Sequence, residues 1–173
     1  MVETPQSLIR DIPDFPEPGV VFKDITPVLG DARAFSALIE QMTEPFVDSG
    51  VTKVAGIEAR GFTLATPVAQ RLRAGFIPLR KPGKLPYETV REDYQLEYGL
   101  DALEMHTDAL LTGERVLLVD DVIATGGTAA AAVRLLQRGG GEVIGLSVFI
   151  ELAFLNGRDV LDGVPFHALV SYD

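Results

Sequence analysis

A pair of acids followed by a glycine turn is the part of the sequence best suited to chemistry. Asp120 and Asp121 stand at the carboxyl end of an apolar run, residues 116–119, and the turn Thr125-Gly126-Gly127-Thr128 follows them. Glycines carry no Cβ, so backbone N–H groups can approach an anion there, and the threonine hydroxyls can add donors. The dipole of a following helix favours negative charge at the same place. The pattern therefore predicts an anion site beside two carboxylates.

The chemistry of this turn points to a phosphate carried on a sugar. No lysine follows the glycines, so the segment differs from the phosphate loop of nucleoside triphosphatases, and the glycine spacing of dinucleotide-binding folds is absent. Ionised carboxylates accept hydrogen bonds but cannot donate them, so Asp120 and Asp121 suit the vicinal hydroxyls of a ribose. A 5-phosphorylated ribose would offer phosphate oxygens to the donors of the turn and hydroxyls to the two carboxylates. The alternatives are a Mg²⁺ site at the acid pair and an ordinary strand–helix turn.

A second turn of the same kind follows residues 54–57, an apolar run that predicts a buried strand. Arg60 and Gly61 lie on this turn, and a helix is predicted over residues 62–73. A guanidinium is a planar fork of donors that matches phosphate oxygens. Two anion sites indicate a substrate with phosphate at both ends. The alternative is an arginine in a salt bridge with Glu58 or with a surface acid.

Residues 80–98 form the most irregular tract of the chain. Arg80, Lys81, Lys84 and Arg91 place four of the fifteen basic residues within twelve positions of a chain whose net charge is −10. Prolines and a glycine interrupt the first half, and so long a basic connection is uncommon unless it is a lid or a binding loop. Lys81 and Lys84 could reach a diphosphate during closure, which would exclude water. The alternative is a solvated run of charge.

The elements around these turns alternate between strands and helices. The sequence predicts an extended segment over 11–19, strands at 54–57, 76–79, 116–119 and 143–150, helices at 31–48, 62–73 and 129–138, and an antiparallel ribbon over 89–98. This alternation predicts an α/β fold with a mostly parallel, twisted sheet and helices on both faces. Ligands of such sheets bind beyond the carboxyl ends of the strands, where Glu58 and Asp120 fall. The absence of repeats and linkers predicts a single domain over residues 1–173.

Composition argues against several classes of protein. A net charge of −10 disfavours partners such as nucleic acids and membrane surfaces, which attract basic faces. The chain has no cysteine, which rules out disulfides, thiolate metal sites and a cysteine nucleophile. The N-terminus lacks the features of a signal peptide, and no apolar run approaches the ~20 residues that span a bilayer. We expect a cytoplasmic protein.

Three tracts together resemble a known family of enzymes. Residues 116–128 resemble the phosphoribosyl diphosphate motif of type I phosphoribosyltransferases. Leu96-Glu97-Tyr98-Gly99 and the segment 15–25, which reads FPxPGVxFxDI, resemble the adenine phosphoribosyltransferase branch of that family. The similarity extends from about residue 12 to about residue 154. It implies the type I fold, with an N-terminal hood at 1–30 and a mobile loop and ribbon at 80–98.

The resemblance also implies roles for individual residues. Glu97 would hydrogen-bond the imidazole nitrogen of a purine and help to move its proton, with Tyr98 orienting it or lying near the reacting centre. The alternatives are a surface glutamate at position 97 and a proton held by Asp120 or Asp121. Arg60 and Lys84 would act on the leaving diphosphate. The implied contacts to phosphoribosyl diphosphate are Asp120, Asp121, Ala124, Thr125, Gly126, Gly127, Thr128, Ala59, Arg60, Gly61, Arg80, Lys81 and Lys84.

Base recognition is implied for the N-terminal hood. Phe22 offers a ring face for a purine, and the backbone groups of Val21 and Lys23 could read N6 and N1 of adenine. The alternative for Phe22 is simple core packing. Two positions depart from the family pattern, because Lys23 replaces an arginine found in many members and Ala59 replaces a serine found in some. A main-chain contact at position 23 would make the first change unimportant.

The activity implied is transfer of a phosphoribosyl group to N9 of adenine, giving AMP and diphosphate in purine salvage. Mg²⁺ would enter mainly with the diphosphate, and a homodimer is implied. His106 and His167 form no recognisable nucleophile pattern, so a single displacement through an oxocarbenium-like state is expected. The competing hypotheses are a phosphoribosyltransferase for another base, a ligand-sensing regulator with the same fold, and a Mg²⁺ phosphatase or kinase. The hood and residues 96–99 argue against the first, and the acidic charge argues against the second.

Overall fold

The chain divides into two compact units, Met1–Gln41 and Met42–Asp173. The computed structural model describes residues 4–96 and 99–173. The first unit begins with a 3₁₀ turn and contains an antiparallel hairpin and helical segments; its elements are the turn Pro5–Leu8, β1 (Arg10–Pro13), β2 (Val21–Asp24), α1 (Thr26–Gly30) and the greater part of α2 (Ala32–Thr43).

The segment predicted as extended over 11–19 is part of the hairpin of the first unit. Ile12 stands opposite Phe22 in the β1–β2 ladder. The carboxylate of Asp14 accepts the N–H of Gly19 at 2.7 Å and closes the connection between the strands. Gly19 has a φ of 89°, a conformation that glycine adopts without a steric penalty. Local turn chemistry therefore folds the proline-rich segment back on itself.

Helix α2 begins as predicted but ends earlier than residue 48. The carboxylate of Asp31 accepts the N–H groups of Arg33 and Ala34 at 3.0 and 2.8 Å, as expected of an N-cap. The helix ends at Thr43 and a 3₁₀ turn, Glu44–Phe46, follows it. Pro45 explains the difference, because proline has no N–H for the helical ladder and restricts the residue before it.

The second unit contains a five-stranded parallel sheet. The strands of this unit are β3 (Lys53–Ile57), β4 (Gly75–Leu79), β5 (Thr89–Leu96), β6 (Gly99–His106), β7 (Arg115–Ile123), β8 (Glu142–Leu152) and β9 (Phe166–Tyr172), of which β5 and β6 lie outside the five-stranded sheet. The helices of this unit are α3 (Arg60–Leu72) and α4 (Gly127–Arg138), and further 3₁₀ turns lie at Ala153–Leu155 and Gly157–Val160. The sheet order is β4-β3-β7-β8-β9, and β5 and β6 form a separate antiparallel ribbon. The predicted α/β fold is confirmed.

Strand β7 is longer than its apolar run. It extends to Ile123, so Asp120 and Asp121 are its last polar residues. The sequence had suggested that these acids follow the strand, whereas the structure places them within it. The ladder to β8 continues past them, with Asp120 opposite Val148 and Ile123 opposite Glu151. Polar side chains do not stop a strand when the backbone partner is present. The acids therefore sit on rigid, hydrogen-bonded backbone.

The core of the second unit lies between the sheet and its two helices. The four apolar residues 116–119 of β7 have no exposed surface. Helix α3 packs on β3, β4 and β7, and α4 packs on β7, β8 and the ribbon. A further link between ribbon and α4 is polar, because the buried carboxylate of Glu92 accepts hydrogen bonds from Arg134, at 2.7 Å, and from Arg138.

Candidate active site

The predicted phosphate turn joins the end of β7 to the start of α4. Helix α4 begins at Gly127, and Gly126 before it has a φ of 81°, in the left-handed region that favours glycine. The first N–H groups of a helix have no partner within the helix and can bind an anion. Residues 120–129 line a cavity of about 340 Å³. All the residues assigned to this turn from the sequence therefore border one space.

The second predicted turn borders the same cavity. Strands β3 and β7 are parallel neighbours, with Gly56 opposite Val119, so the turns that follow them leave the sheet at the same edge. Residues 57–60 and Lys81 complete the cavity lining. The structure thus brings together Ala59, Arg60 and Lys81 with the first turn.

Gly61 lies outside the cavity lining but directly against the acid pair. A Cβ atom at this position would lie 2.7 Å from Oδ1 of Asp120 and 3.3 Å from the carbonyl oxygen of Val119. Cβ atoms in proteins essentially never lie as close as 2.7 Å to a non-bonded heavy atom. Glycine is therefore needed for α3 to start so close to β7.

Gly61→Ala is expected to raise the KM for phosphoribosyl diphosphate, the substrate that the motif at residues 116–128 implies, by about tenfold or more, because displacement of a substrate-positioning group by ~1 Å has effects of this size. Steady-state kinetics against each substrate would measure it. Gly30→Ala is the control, since a Cβ there has no heavy atom within 4 Å. An unchanged KM in Gly61→Ala would contradict the close-approach argument.

Arg60 and Asp121 form an ion pair that links the two turns. Arg60 Nε lies 2.7 Å from Oδ2 of Asp121, whose side chain is almost fully buried. The sequence had offered Glu58 or a surface acid as the alternative partner, and the structure supplies a buried acid from β7, the strand that leads into the other turn. A cation expected to meet phosphate and an acid expected to meet ribose are therefore adjacent.

The acid pair carries raised pKa values. Burial raises the pKa of the Asp120 carboxyl well above its ordinary value, and the negative charge of Asp121 raises it further. Burial also raises the pKa of Asp121, although the guanidinium of Arg60 opposes that shift. Asp121 is buried and Asp120 is partly buried, and two adjacent carboxylates in such surroundings resist holding two negative charges. Hydroxyl donors or a cation brought by a ligand would relieve this cost.

Glu58 organises the basic tract that follows β4. Its largely buried carboxylate accepts hydrogen bonds from Arg80 Nε at 3.0 Å, from Lys84 Nζ at 2.8 Å and from the backbone N–H of Lys81 at 3.0 Å. Burial raises the pKa of Glu58, but these donors outweigh it and leave the pKa lowered. Arg80 and Lys84 are thus held beside the cavity by an acid on the second turn and do not line it.

Lys81 is held by the ribbon. Its Nζ donates to the carboxylate of Asp101 and, at 2.9 Å, to the hydroxyl of Tyr94, which stands opposite Asp101 in the β5–β6 ladder. The Tyr94 hydroxyl also lies 3.4 Å from Oγ1 of Thr128. Sequence reasoning missed Tyr94 and Asp101, although pairing the two strands across residues 97–98 would have placed them side by side.

The residues predicted for base recognition lie on β2, in the first unit. The rings of Phe22 and Phe15 pack edge to face with centroids 5.2 Å apart. Lys23 Nζ forms an ion pair with Asp11 at 2.8 Å. The two residues proposed for proton transfer, Glu97 and Tyr98, lie outside the described residues.

Comparison with known proteins identifies the family of the chain. Residues 29–159 match the family model described as the phosphoribosyl transferase domain. An adenine phosphoribosyltransferase of Maricaulis maris is 54% identical over 170 residues, which cover 97% of each chain. The crystal structure of adenine phosphoribosyltransferase from Rhodothermus marinus is similar with a TM-score of 0.93 at 55% identity over 96% of each chain.

A third relative was solved with ligands bound. The adenine phosphoribosyltransferase of Saccharomyces cerevisiae, in complex with an imino-altritol bisphosphate and adenine, has a TM-score of 0.90 at 36% identity, and the match covers 96% of this chain and 98% of that one. The chain therefore belongs to the phosphoribosyltransferase family and, within it, to the adenine phosphoribosyltransferases. It is a pentosyltransferase. No helix among the described residues is long and apolar enough to cross a membrane.

Proposed function

We propose that the protein transfers the phosphoribosyl group of 5-phospho-α-D-ribose 1-diphosphate to N9 of adenine, giving AMP and diphosphate in purine salvage. The observation that carries this proposal is the meeting of two glycine turns in one cavity of about 340 Å³. One turn offers helix N–H groups and two carboxylates, and the other offers a guanidinium. A ribose with phosphate at both ends offers phosphate oxygens to the N–H groups and the guanidinium, and hydroxyls to the carboxylates.

Each group of this cavity has a role in the proposed reaction. The turn 124–128 binds the 5-phosphate, and Asp120 and Asp121 accept the hydroxyls of the ribose. Arg60 and Lys81 border the same space, and with Lys84 they would stabilise the charge that develops on the leaving diphosphate. Such catalysis is positional and electrostatic, and one well-placed contact contributes roughly 3–4 kcal/mol to the barrier.

The base would be recognised by the hood. Residues two apart in a strand carry their backbone groups on the same side, so Val21 and Lys23 of β2 can present a donor and an acceptor together. Adenine offers the complementary pair at N1 and N6. The yeast relative, solved with adenine, supports this choice of base. Glu97 would hydrogen-bond the imidazole ring of the purine and move its proton as N9 attacks.

Mg²⁺ enters this proposal mainly with the diphosphate. No group of three or more His, Cys, Asp or Glu side chains that could hold a metal occurs among the described residues. Mg²⁺ in nucleotide sites is commonly bound by one or two carboxylates together with substrate phosphates, and Asp120 and Asp121 fit that donor set. When bound, the ion would neutralise charge on the leaving group. We further propose a homodimer and a cytoplasmic location, as the family implies.

Product analysis with adenine, hypoxanthine and guanine would test the proposal. Each base is incubated with phosphoribosyl diphosphate and Mg²⁺, and the nucleotides are separated by chromatography. We expect AMP from adenine and far less product from the other bases. IMP or GMP as the main product would assign another base, and the absence of any nucleotide would favour the ligand-sensing regulator. Release of inorganic phosphate without a base would favour the phosphatase.

A further inference from the structure

A salt bridge between the buried carboxylate of Glu151 and the exposed side chain of Arg158 lies next to the phosphate turn, between β8 and the 3₁₀ turn Gly157–Val160. Glu151 is only 2% exposed and accepts two hydrogen bonds from Arg158, from Nε at 2.6 Å and from Nη2 at 2.5 Å. The hydroxyl of Ser171 donates to the same carboxylate at 3.2 Å. Two hydrogen bonds to one carboxylate fix the orientation of the guanidinium as well as its distance from Glu151. The guanidinium also lies 4.9 Å from the centre of the Phe166 ring, so two strands hold it.

The residue before Arg158 touches the phosphate turn directly. A methyl group on Gly157 would overlap the carbonyl oxygen of Ala124, and one on Gly126 would overlap the carbonyl oxygen of Gly157. The second methyl would also lie 2.6 Å from Cγ2 of Val160. The two backbones are therefore in contact without side chains between them. A shift of the 3₁₀ turn must move the phosphate turn.

The phosphate turn needs such support because the hydrogen bonding of the sheet ends at the residue before the turn. The last residue of β7 in the ladder is Ile123, which stands opposite Glu151. Beyond it, residues 124–126 have no neighbouring strand in the register of the sheet. The ion pair is thus level with the last residue that the sheet itself holds in place.

The connection between β8 and the 3₁₀ turn provides little anchoring of its own. Phe154 and Leu155 are exposed, at 59% and 38%. After the turn, Leu161 is buried in the core beside α4. Leu161 holds the end of the 3₁₀ turn, whereas the ion pair holds its beginning, where Gly157 meets Ala124.

We propose that Glu151 and Arg158 are positioning residues for the phosphate turn, acting through the backbone contact of Gly157 with Ala124 and Gly126. They touch no substrate atom in this proposal. Their effect is to hold the N–H groups of the turn where the 5-phosphate binds. The inference rests on the proposed function, because it concerns the same substrate at the same turn.

Glu151→Gln tests the proposal because it keeps the shape of the side chain and removes its charge. The KM for phosphoribosyl diphosphate is expected to rise between about tenfold and a hundredfold, as for other small displacements of a binding group. The KM for adenine should change by less than about twofold, since the base is not held by this turn. Arg158→Ala should reproduce the effect, and Arg158→Lys should restore part of the affinity because it keeps the charge but loses the fork.

Glu92→Gln is the matched control. Glu92 is also a buried carboxylate bound by arginines, Arg134 and Arg138, but its partners lie in the second half of α4, away from the turn. Both substitutions should lower the melting temperature, and only Glu151→Gln should raise the KM for phosphoribosyl diphosphate.

Two results would overturn the inference while leaving the proposed function intact. One is an active Glu151→Gln enzyme with lowered melting temperature and unchanged KM values, which would make the ion pair purely structural. The other is an equal rise of KM in both variants. If Glu151→Gln does not fold, the comparison of Arg158→Ala with Arg158→Lys decides the question by the same measurements. Failure of the unsubstituted protein to form AMP would instead reject the proposed function.

Discussion

Asp120→Asn is expected to make the protein more stable and, at the same time, a weaker binder of phosphoribosyl diphosphate. Burial and the neighbouring charge of Asp121 raise the pKa of Asp120, which means that the fold disfavours its charged form. An asparagine keeps the oxygen that accepts the N–H of Asp121 at 2.9 Å and carries no charge. We expect the free energy of unfolding at neutral pH to rise by about 1–2 kcal/mol.

The gain in stability should depend on pH with a definite sign. In the unfolded chain the carboxyl titrates near its usual pKa of about 3.9, and in the folded protein it titrates at a higher pH. Between these two values the folded state of the parent protein binds more protons, so its stability falls as pH rises. The advantage of Asp120→Asn should vanish near pH 3 and grow from about pH 4 upward. Denaturant titrations across this range would measure it.

Substrate binding should change in the opposite direction. A hydrogen bond from a ribose hydroxyl to a charged acceptor contributes about 1.5–3 kcal/mol, so its loss should weaken binding about tenfold to a hundredfold. Asp121→Asn should weaken binding as well and would also leave Arg60 without the ion pair at 2.7 Å. Asp93→Asn, at an exposed ribbon carboxylate, is the control and should alter stability by less than ~0.5 kcal/mol. Unaltered affinity in both acid-pair variants would disprove their contact with the ribose.

Glu97→Gln is expected to lower kcat by about 10²- to 10⁴-fold with little change in the KM of either substrate. Glutamine has the size of glutamate and can still donate or accept a hydrogen bond, so it should preserve ground-state binding. It cannot take part in proton transfer, whose usual contribution to rate has this magnitude. The assignment rests on the motif Leu96-Glu97-Tyr98-Gly99, because Glu97 lies outside the described residues.

Steady-state kinetics with both substrates would separate the two effects in Glu97→Gln. Glu88→Gln, at an exposed position near the start of the ribbon, serves as the control and should leave kcat within about twofold of the parent value. An unchanged kcat in Glu97→Gln would eliminate Glu97 as the proton-transfer residue. Asp120 and Asp121 would then be the remaining candidates from the sequence.

Most of the fold was predictable because its central strands are buried on both faces. Residues 54–57 and 116–119 read as short apolar runs for that reason, and both are strands of the sheet. Strand β9 was not predicted, because it lies at the edge of the sheet, is partly exposed and mixes polar with apolar residues. The apolar pattern of α2 continued to Phe46, but Pro45 ended its hydrogen bonding.

The site was predictable as far as it depends on local backbone. Glycines before a helix start leave backbone N–H groups open to an anion, so residues 120–128 and 57–61 could be recognised as candidate sites without tertiary structure. Their convergence followed from the rule that ligands bind at the carboxyl ends of parallel strands. The partners of the charged groups could not be predicted in this way. The sequence suggested Glu58 only as a residue at a strand end and as an alternative partner of Arg60, yet it binds three donors from the basic tract.

The sequence by itself determined the α/β fold, the two glycine turns that follow β3 and β7, and the family to which their motifs point, because each depends on residues close together in the chain. The tertiary structure alone decided which charges meet: Arg60 with Asp121, Lys81 with Asp101, and Arg158 with Glu151. It also decided that Gly157 packs against the phosphate turn. Ion pairs and backbone contacts depend on distances of a few ångströms between residues on different elements. Those distances are set by how strands and helices pack, which the local pattern of residues does not specify.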